Sequence, residues 1–133
     1  MLDLSKFVEA YLMGIEVDRV ERKVVLSIKE PAGKGWILVA TGVSELMVLQ
    51  MCMQNIIDRI SVWTGSAVDA DCRERVFSLL SGRYATDRDD MESPLINRTV
   101  DAIQRGDSML IELEPVYGAS VLMLASGLSV AEA

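Results

Sequence analysis

A chain of 133 residues, 50% hydrophobic and 25% charged, fits one soluble domain (residues 1–133) able to bury its own core. Its 13 basic residues against 20 acidic give a formal charge of -7, which repels phosphate backbones and suits either solubility or a basic protein partner. Histidine is absent, which removes the commonest general base, the usual zinc ligand and every His-dependent triad.

No basic N-terminal segment leads into an apolar run, and no apolar run is long enough to span a bilayer, so neither a signal peptide nor a membrane span is expected and the chain reads as cytoplasmic. Cys52 and Cys72 lack CxxC spacing and read as reduced thiols.

In chain order, residues 5–13 predict a short helix: Ser5 caps it, Phe7, Val8, Tyr11 and Leu12 give apolar spacing, and Gly14 stops it. A strand beginning near Leu12 is the competing reading. Ile15 and Val17, then Val24, Leu26 and Ile28, alternate with polar neighbours across the break 18–22, which predicts a hairpin. A turn at Pro31, Gly33 and Gly35 leads to a third strand from Trp36 to Thr41, completing an antiparallel meander.

Residues 42–64 predict the central helix. Leu46, Leu49, Met53, Ile56, Ile60 and Trp63 recur at spacings of three and four, with Ser44 as cap and Gly65 as stop. Met47, Val48, Met51 and Cys52 leave its first half almost without a polar side, so it is expected to be buried all round, Cys52 included, or to show a partner an apolar face. Gln50 falls on the core side of this helix, where its amide needs a partner.

Asp71 and Glu74 resemble a capping box, opening a helix to about Gly82 with Val76, Phe77 and Leu80 as its buried stripe. Residues 81–92 form the most polar stretch and read as a loop. Ser93-Pro94 starts another helix that ends at Gly106, its inner face Ile96, Val100 and Ile103. Met109, Ile111 and Leu113, a turn at Pro115–Gly118, and Ala119–Ala125 predict a closing hairpin; residues 129–133 either continue the strand or fray. The expected fold is α+β: an antiparallel sheet of about five strands, from the N-terminal meander and the C-terminal hairpin, with three to four helices packed on one face.

For function, the densest charge lies in Asp87, Asp89, Asp90 and Glu92, with Tyr84 and Met91 alongside as apolar anchors for a basic partner. A calcium loop fails there, because Met91 stands at the fifth position and Arg98 where a bidentate glutamate is needed. No catalytic residue, metal ligand set or cofactor motif is assigned: Gly33 and Gly35 precede a strand rather than a helix, and no histidine exists to activate a cysteine. Nucleic acid and membrane are not expected as partners, and a homo-oligomer through an apolar face stands as an alternative.

Two pieces carry a family resemblance. One is Trp36 to Trp63, a strand followed by Gly42-Val43 and then Asn55-Ile56-Ile57-Asp58-Arg59-Ile60; the other is Pro115-Val116-Tyr117-Gly118-Ala119 between two closing strands. Together they look like small bacterial immunity proteins of polymorphic or contact-dependent toxin systems. The resemblance implies a small acidic protein without an active site that docks on a toxin's substrate-binding surface, and it transfers no individual interface residue. Two other classes stand beside this reading: a small-molecule-binding or catalytic domain with its pocket between sheet and helices, and a structural homo-oligomer.

Overall fold

A computed structural model describes residues 2–133. Among them run eight strands, Tyr11–Asp18 (β1), Lys23–Lys29 (β2), Gly35–Thr41 (β3), Glu45–Leu49 (β4), Ile56–Trp63 (β5), Met109–Tyr117 (β6), Ser120–Ala125 (β7) and Gly127–Glu132 (β8). Two α-helices, Ala70–Ser81 (α1) and Pro94–Gln104 (α2), separate β5 from β6. All eight strands belong to one antiparallel sheet in the order β4-β7-β6-β5-β1-β2-β3-β8. The architecture is therefore α+β, as expected, but with eight strands and two helices in place of about five and three to four.

The sheet does not lie flat. β3 runs into β4 through Gly42–Ser44 and β7 into β8 through Ser126, and the two pieces pair with each other on either side of that corner (Thr41 with Gly127, Glu45 with Leu124). They form one bent ribbon, bordered by β2 along β3 and by β6 along β7. At the corner Gly42 takes φ +60°, and a Cβ there would run into the Ser126 hydroxyl, so any side chain at this position is strained and must displace Ser126. On the far side β1 meets β5 at Tyr11 and Ile56, reinforced by Glu9 N–H to Ile57 O at 2.8 Å and Ile57 N–H to Ala10 O at 2.9 Å. The strands thus wrap around a shared interior.

That interior holds alternate residues of nearly every strand, including Leu12, Leu26, Ile28, Leu38, Ile57, Leu113 and Met123, with Phe7 beneath the N-terminal turn. The opposite parity of β6 and β7 points outward: Leu110 and Leu122 join Cys72, Val76 and Leu79 of α1 and Ile96, Val100 and Ile103 of α2 in a second core. Both helices therefore cover the outer face of the β4-β7-β6-β5 half. The predicted inner face of α2 is buried in full, whereas in α1 Cys72 and Leu79 are buried with Val76, and Phe77 and Leu80 only pack at the edge. Helix α1 is capped by Asp69, which accepts from Cys72 N–H at 2.8 Å, rather than by Asp71.

The helix expected over 42–64 is instead two strands joined by a turn. In β4 both faces are covered, Leu46 and Val48 by the interior and Met47 by the helix-side core. A short run apolar on all sides is what such a strand looks like, and periodicity cannot separate it from a buried helix. Beyond it Gln50 adopts φ +60°, and the Asn55 side chain bonds the backbone at Cys52, two local conformations that compete with helix. In β5 a bulge inserts Asp58 between the pairs Ile57–Pro115 and Arg59–Glu114. Ile57 and Ile60 are then both buried at a spacing of three, which imitates helical period, while the β-branched content of Ile56–Val62 favours strand. The expected burial of Cys52 and of Gln50 goes with the helix: both residues are exposed.

The N-terminal helix is likewise reduced to a single 3-10 turn at Ser5–Phe7, because Tyr11 and Leu12 are taken up by β1. The chain end continues as strand β8, paired with β3 over its full length.

Candidate functional site

The segment between α1 and α2 is the acidic loop. It leaves α1 through Gly82, which ends the helix at φ +75° with its N–H on Ser78 O at 2.8 Å. It enters α2 through Ser93, whose hydroxyl accepts from Ile96 N–H at 3.3 Å, with Pro94 in the first helical turn. Within it Arg83 grips Asp89 with two parallel bonds, Nη1 to Oδ2 at 3.0 Å and Nη2 to Oδ1 at 2.7 Å. Asp89 also accepts from the Thr86 amide at 2.8 Å and the Thr86 hydroxyl at 3.0 Å. The Arg83 guanidinium first, and then the Thr86 amide, hold the Asp89 carboxyl well below the usual carboxylate range. A second tie comes from α1, where Arg73 Nη1 donates to Met91 O at 3.0 Å and to Asn97 Oδ1 at 2.6 Å.

The six residues singled out from sequence therefore divide. Asp89 is spent on the loop's own structure, and Met91 is half-buried with its carbonyl under Arg73. Asp90 turns one oxygen back to Glu92 N–H at 2.8 Å and remains exposed. Asp87, Glu92 and Tyr84 face solvent, Tyr84 with 57% of its surface exposed. Trp36 and Trp63, two further aromatic anchors by residue type, are engaged internally: Trp36 packs edge-on against Phe7 at 6.0 Å and donates to Glu30 at 2.6 Å, and Trp63 packs on the helix-side core.

Sequence reasoning missed the cavities, because they come from how strands part at the bent ribbon. Where β4 leaves β2, a polar cleft of about 430 Å³ opens between Asp18, Arg19, Arg22, Lys23 and Glu45. Where β8 leaves β6, a larger wedge of about 660 Å³ opens, walled by Ile60, Val62, Met109 and Leu128 and bordered by Leu2, Leu4 and Val8 of the N-terminal turn. Between sheet and helices, where the alternative small-molecule reading puts its pocket, lies the second core.

Among the described residues three polar ones are buried, Asn55, Ser78 and Glu112. Glu112 on β6 reaches into the helix side and pairs with Arg75 Nε at 3.1 Å; burial pushes its carboxyl up, and the guanidinium only partly offsets this. Asn55 accepts from Cys52 N–H and Ala119 N–H and donates to Cys52 O. Burial pushes the Cys72 thiol up to about 12, which keeps it protonated at neutral pH. Among the described residues no group of three or more His, Cys, Asp or Glu side chains is placed to hold a metal ion, and no helix is long and apolar enough to cross a membrane. Comparison with protein-family models, with curated proteins and with solved structures finds no match to this chain.

Proposed function

We propose that the chain is a non-enzymatic binding protein that docks a basic protein partner through the loop between α1 and α2, in the manner of an immunity-type inhibitor that occludes the active surface of a nuclease-like toxin. The observation that carries this reading is the pre-ordering of the loop. The Arg83–Asp89 clamp and the Arg73–Met91 tie fix its backbone while Asp87, Asp90, Glu92 and Tyr84 stay open to solvent. A loop already held in one shape loses little conformational entropy on binding. Carboxylates on its rim steer a cationic partner, and the net charge of -7 adds to that steering at long range. Tyr84 supplies the flat amphipathic ring that protein interfaces favour.

The test is affinity capture of the tagged chain from its native lysate, washed at low and then high salt. The expected result is a stoichiometric basic protein released by salt and retained poorly by the variant Asp87→Asn/Asp90→Asn/Glu92→Gln. If neither wash shows a retained protein, the proposal fails.

A further inference from the structure

We propose that the free edge of β8 is a homodimer interface, on which β8 of a second copy of this chain adds antiparallel about a two-fold axis. This inference is independent of the acidic loop. β8 ends the sheet and pairs with β3 alone. Ala133 N–H donates to Gly35 O at 3.0 Å, which fixes the phase of that ladder. Residues that bond a given neighbour alternate along an antiparallel strand. Gly127, Ser129 and Ala131 therefore bond β3, while the N–H and C=O of Leu128, Val130 and Glu132 point away from it. Among the described residues no backbone group pairs with those three on that side. Another extended backbone carries donors and acceptors at the same two-residue repeat, so the occupant is a strand.

Edge strands are commonly blunted by shortness, lysine, proline or a bulge. β8 runs six residues in unbroken register with β3, and its sequence GLSVAE holds no lysine and no proline. The strand at the other end of the sheet, β4, is five residues long, starts on the charged Glu45 and turns off at Gln50, φ +60°. A second copy supplies an edge of the same length and spacing as β8, and a two-fold axis through Val130 fits the two together. Val130 then meets Val130 of the partner subunit, Leu128 meets the partner subunit's Glu132, and Ser129 meets the partner subunit's Ala131. No like charges face each other, since Glu132 is the one charged residue of β8 and is already paired with Lys34 Nζ at 2.7 Å.

The experiment measures the mass of the full chain by sedimentation over a range of concentrations, with amide hydrogen exchange read at each. The mass is expected to rise from that of one chain towards twice that value, and exchange at Leu128, Val130 and Glu132 to slow with it. Salt is expected to tighten the dimer, because each copy carries a formal charge of -7. Val130→Pro removes the central donor of the interface but no bond to β3. Acting twice across the axis, it is expected to weaken the dimer about tenfold. Ser129→Lys/Ala131→Lys, at exposed positions, sets like charges opposite each other and is expected to give a folded monomer. A chain that stays monomeric up to about 1 mM leaves the edge to some other strand and overturns the proposal. A dimer whose exchange does not slow at Leu128, Val130 and Glu132, or that neither variant weakens, overturns it too.

Discussion

The Asn55 carboxamide is seated against Gly118: its Oδ1 accepts Ala119 N–H at 2.9 Å, and a Cβ on Gly118 would collide with that same oxygen and lie 2.8 Å from Gln54 O. Asn55 is 3% exposed and its bonds to Cys52 and Ala119 join the turn after β4 to the β6–β7 hairpin. Gly118 at φ +88° is the only residue type that fits beside it. Asn55→Ala strands buried backbone groups and is expected to lower the unfolding free energy by about 3 kcal/mol. Gly118→Ala is expected to cost about 2 kcal/mol from strain and clash. The double variant gains no rescue, because the Gln54 carbonyl still faces the added methyl; urea denaturation of the three proteins checks all of this.

The Arg75–Glu112 pair anchors α1 to β6, and its two ends are not equivalent. Arg75→Ala leaves a buried carboxylate without its counter-charge and is expected to cost about 3 kcal/mol at pH 7. Glu112→Gln keeps an acceptor for Arg75 Nε and is expected to cost much less.

The pH dependence of that pair has a definite sign. Burial raises the Glu112 carboxyl above its ordinary value near 4.5, so its contribution is fully present below that value and is lost as pH rises through the raised folded one. Wild type should therefore lose stability relative to Glu112→Gln between acid and neutral pH. Parallel denaturation of the two proteins from pH 4 to 7 gives the difference, and a difference that grows in the other direction contradicts the assignment.

The cysteines are expected to separate cleanly. Cys52 is exposed, its Sγ within 3.2 Å of Gln50 O, whereas Cys72 is buried with its thiol pushed up to about 12. A thiol reagent should titrate one group in the native protein and both after unfolding. Two fast-reacting thiols in the native state would refute the burial of α1 against the sheet.

Asp89 tests whether the loop is pre-ordered. Its carboxyl is held below the ordinary value near 3.8, so its contribution is present above that value and lost only as pH falls through the lower folded one. Asp89→Asn is expected to leave the global melting temperature nearly unchanged and to accelerate hydrogen exchange at the Thr86 amide, whose acceptor is Asp89. Unchanged exchange there would mean that the clamp does not order the loop.

How much of this was legible in the chain depends on whether a signal is local. The meander, the α2 stripe of Ile96, Val100 and Ile103, and the polar stretch before Ser93 all follow from short-range alternation, caps and composition. Residues 42–64 did not, because two long-range facts decided them. Paired with β7, β4 has Val48 against the interior and Met47 against the helix-side core, and the extra residue at Asp58 shifts the buried set of β5 into a helical spacing. The β-branched side chains of Ile56, Ile57 and Val62 are the local signal in this stretch that favours strand over helix. The apolar wedge has no sequence signature at all, since its walls come from strands and a turn that only the bent ribbon brings together.

The most direct test of the docking surface is the salt dependence of the dissociation constant for the captured partner, measured with wild type and with Asp87→Asn/Asp90→Asn/Glu92→Gln. The predicted result is a wild-type affinity that falls steeply as salt rises, and a variant that binds weakly with a much flatter dependence. Equal affinities and equal salt slopes for the two proteins would contradict the account and place the interface elsewhere on the molecule.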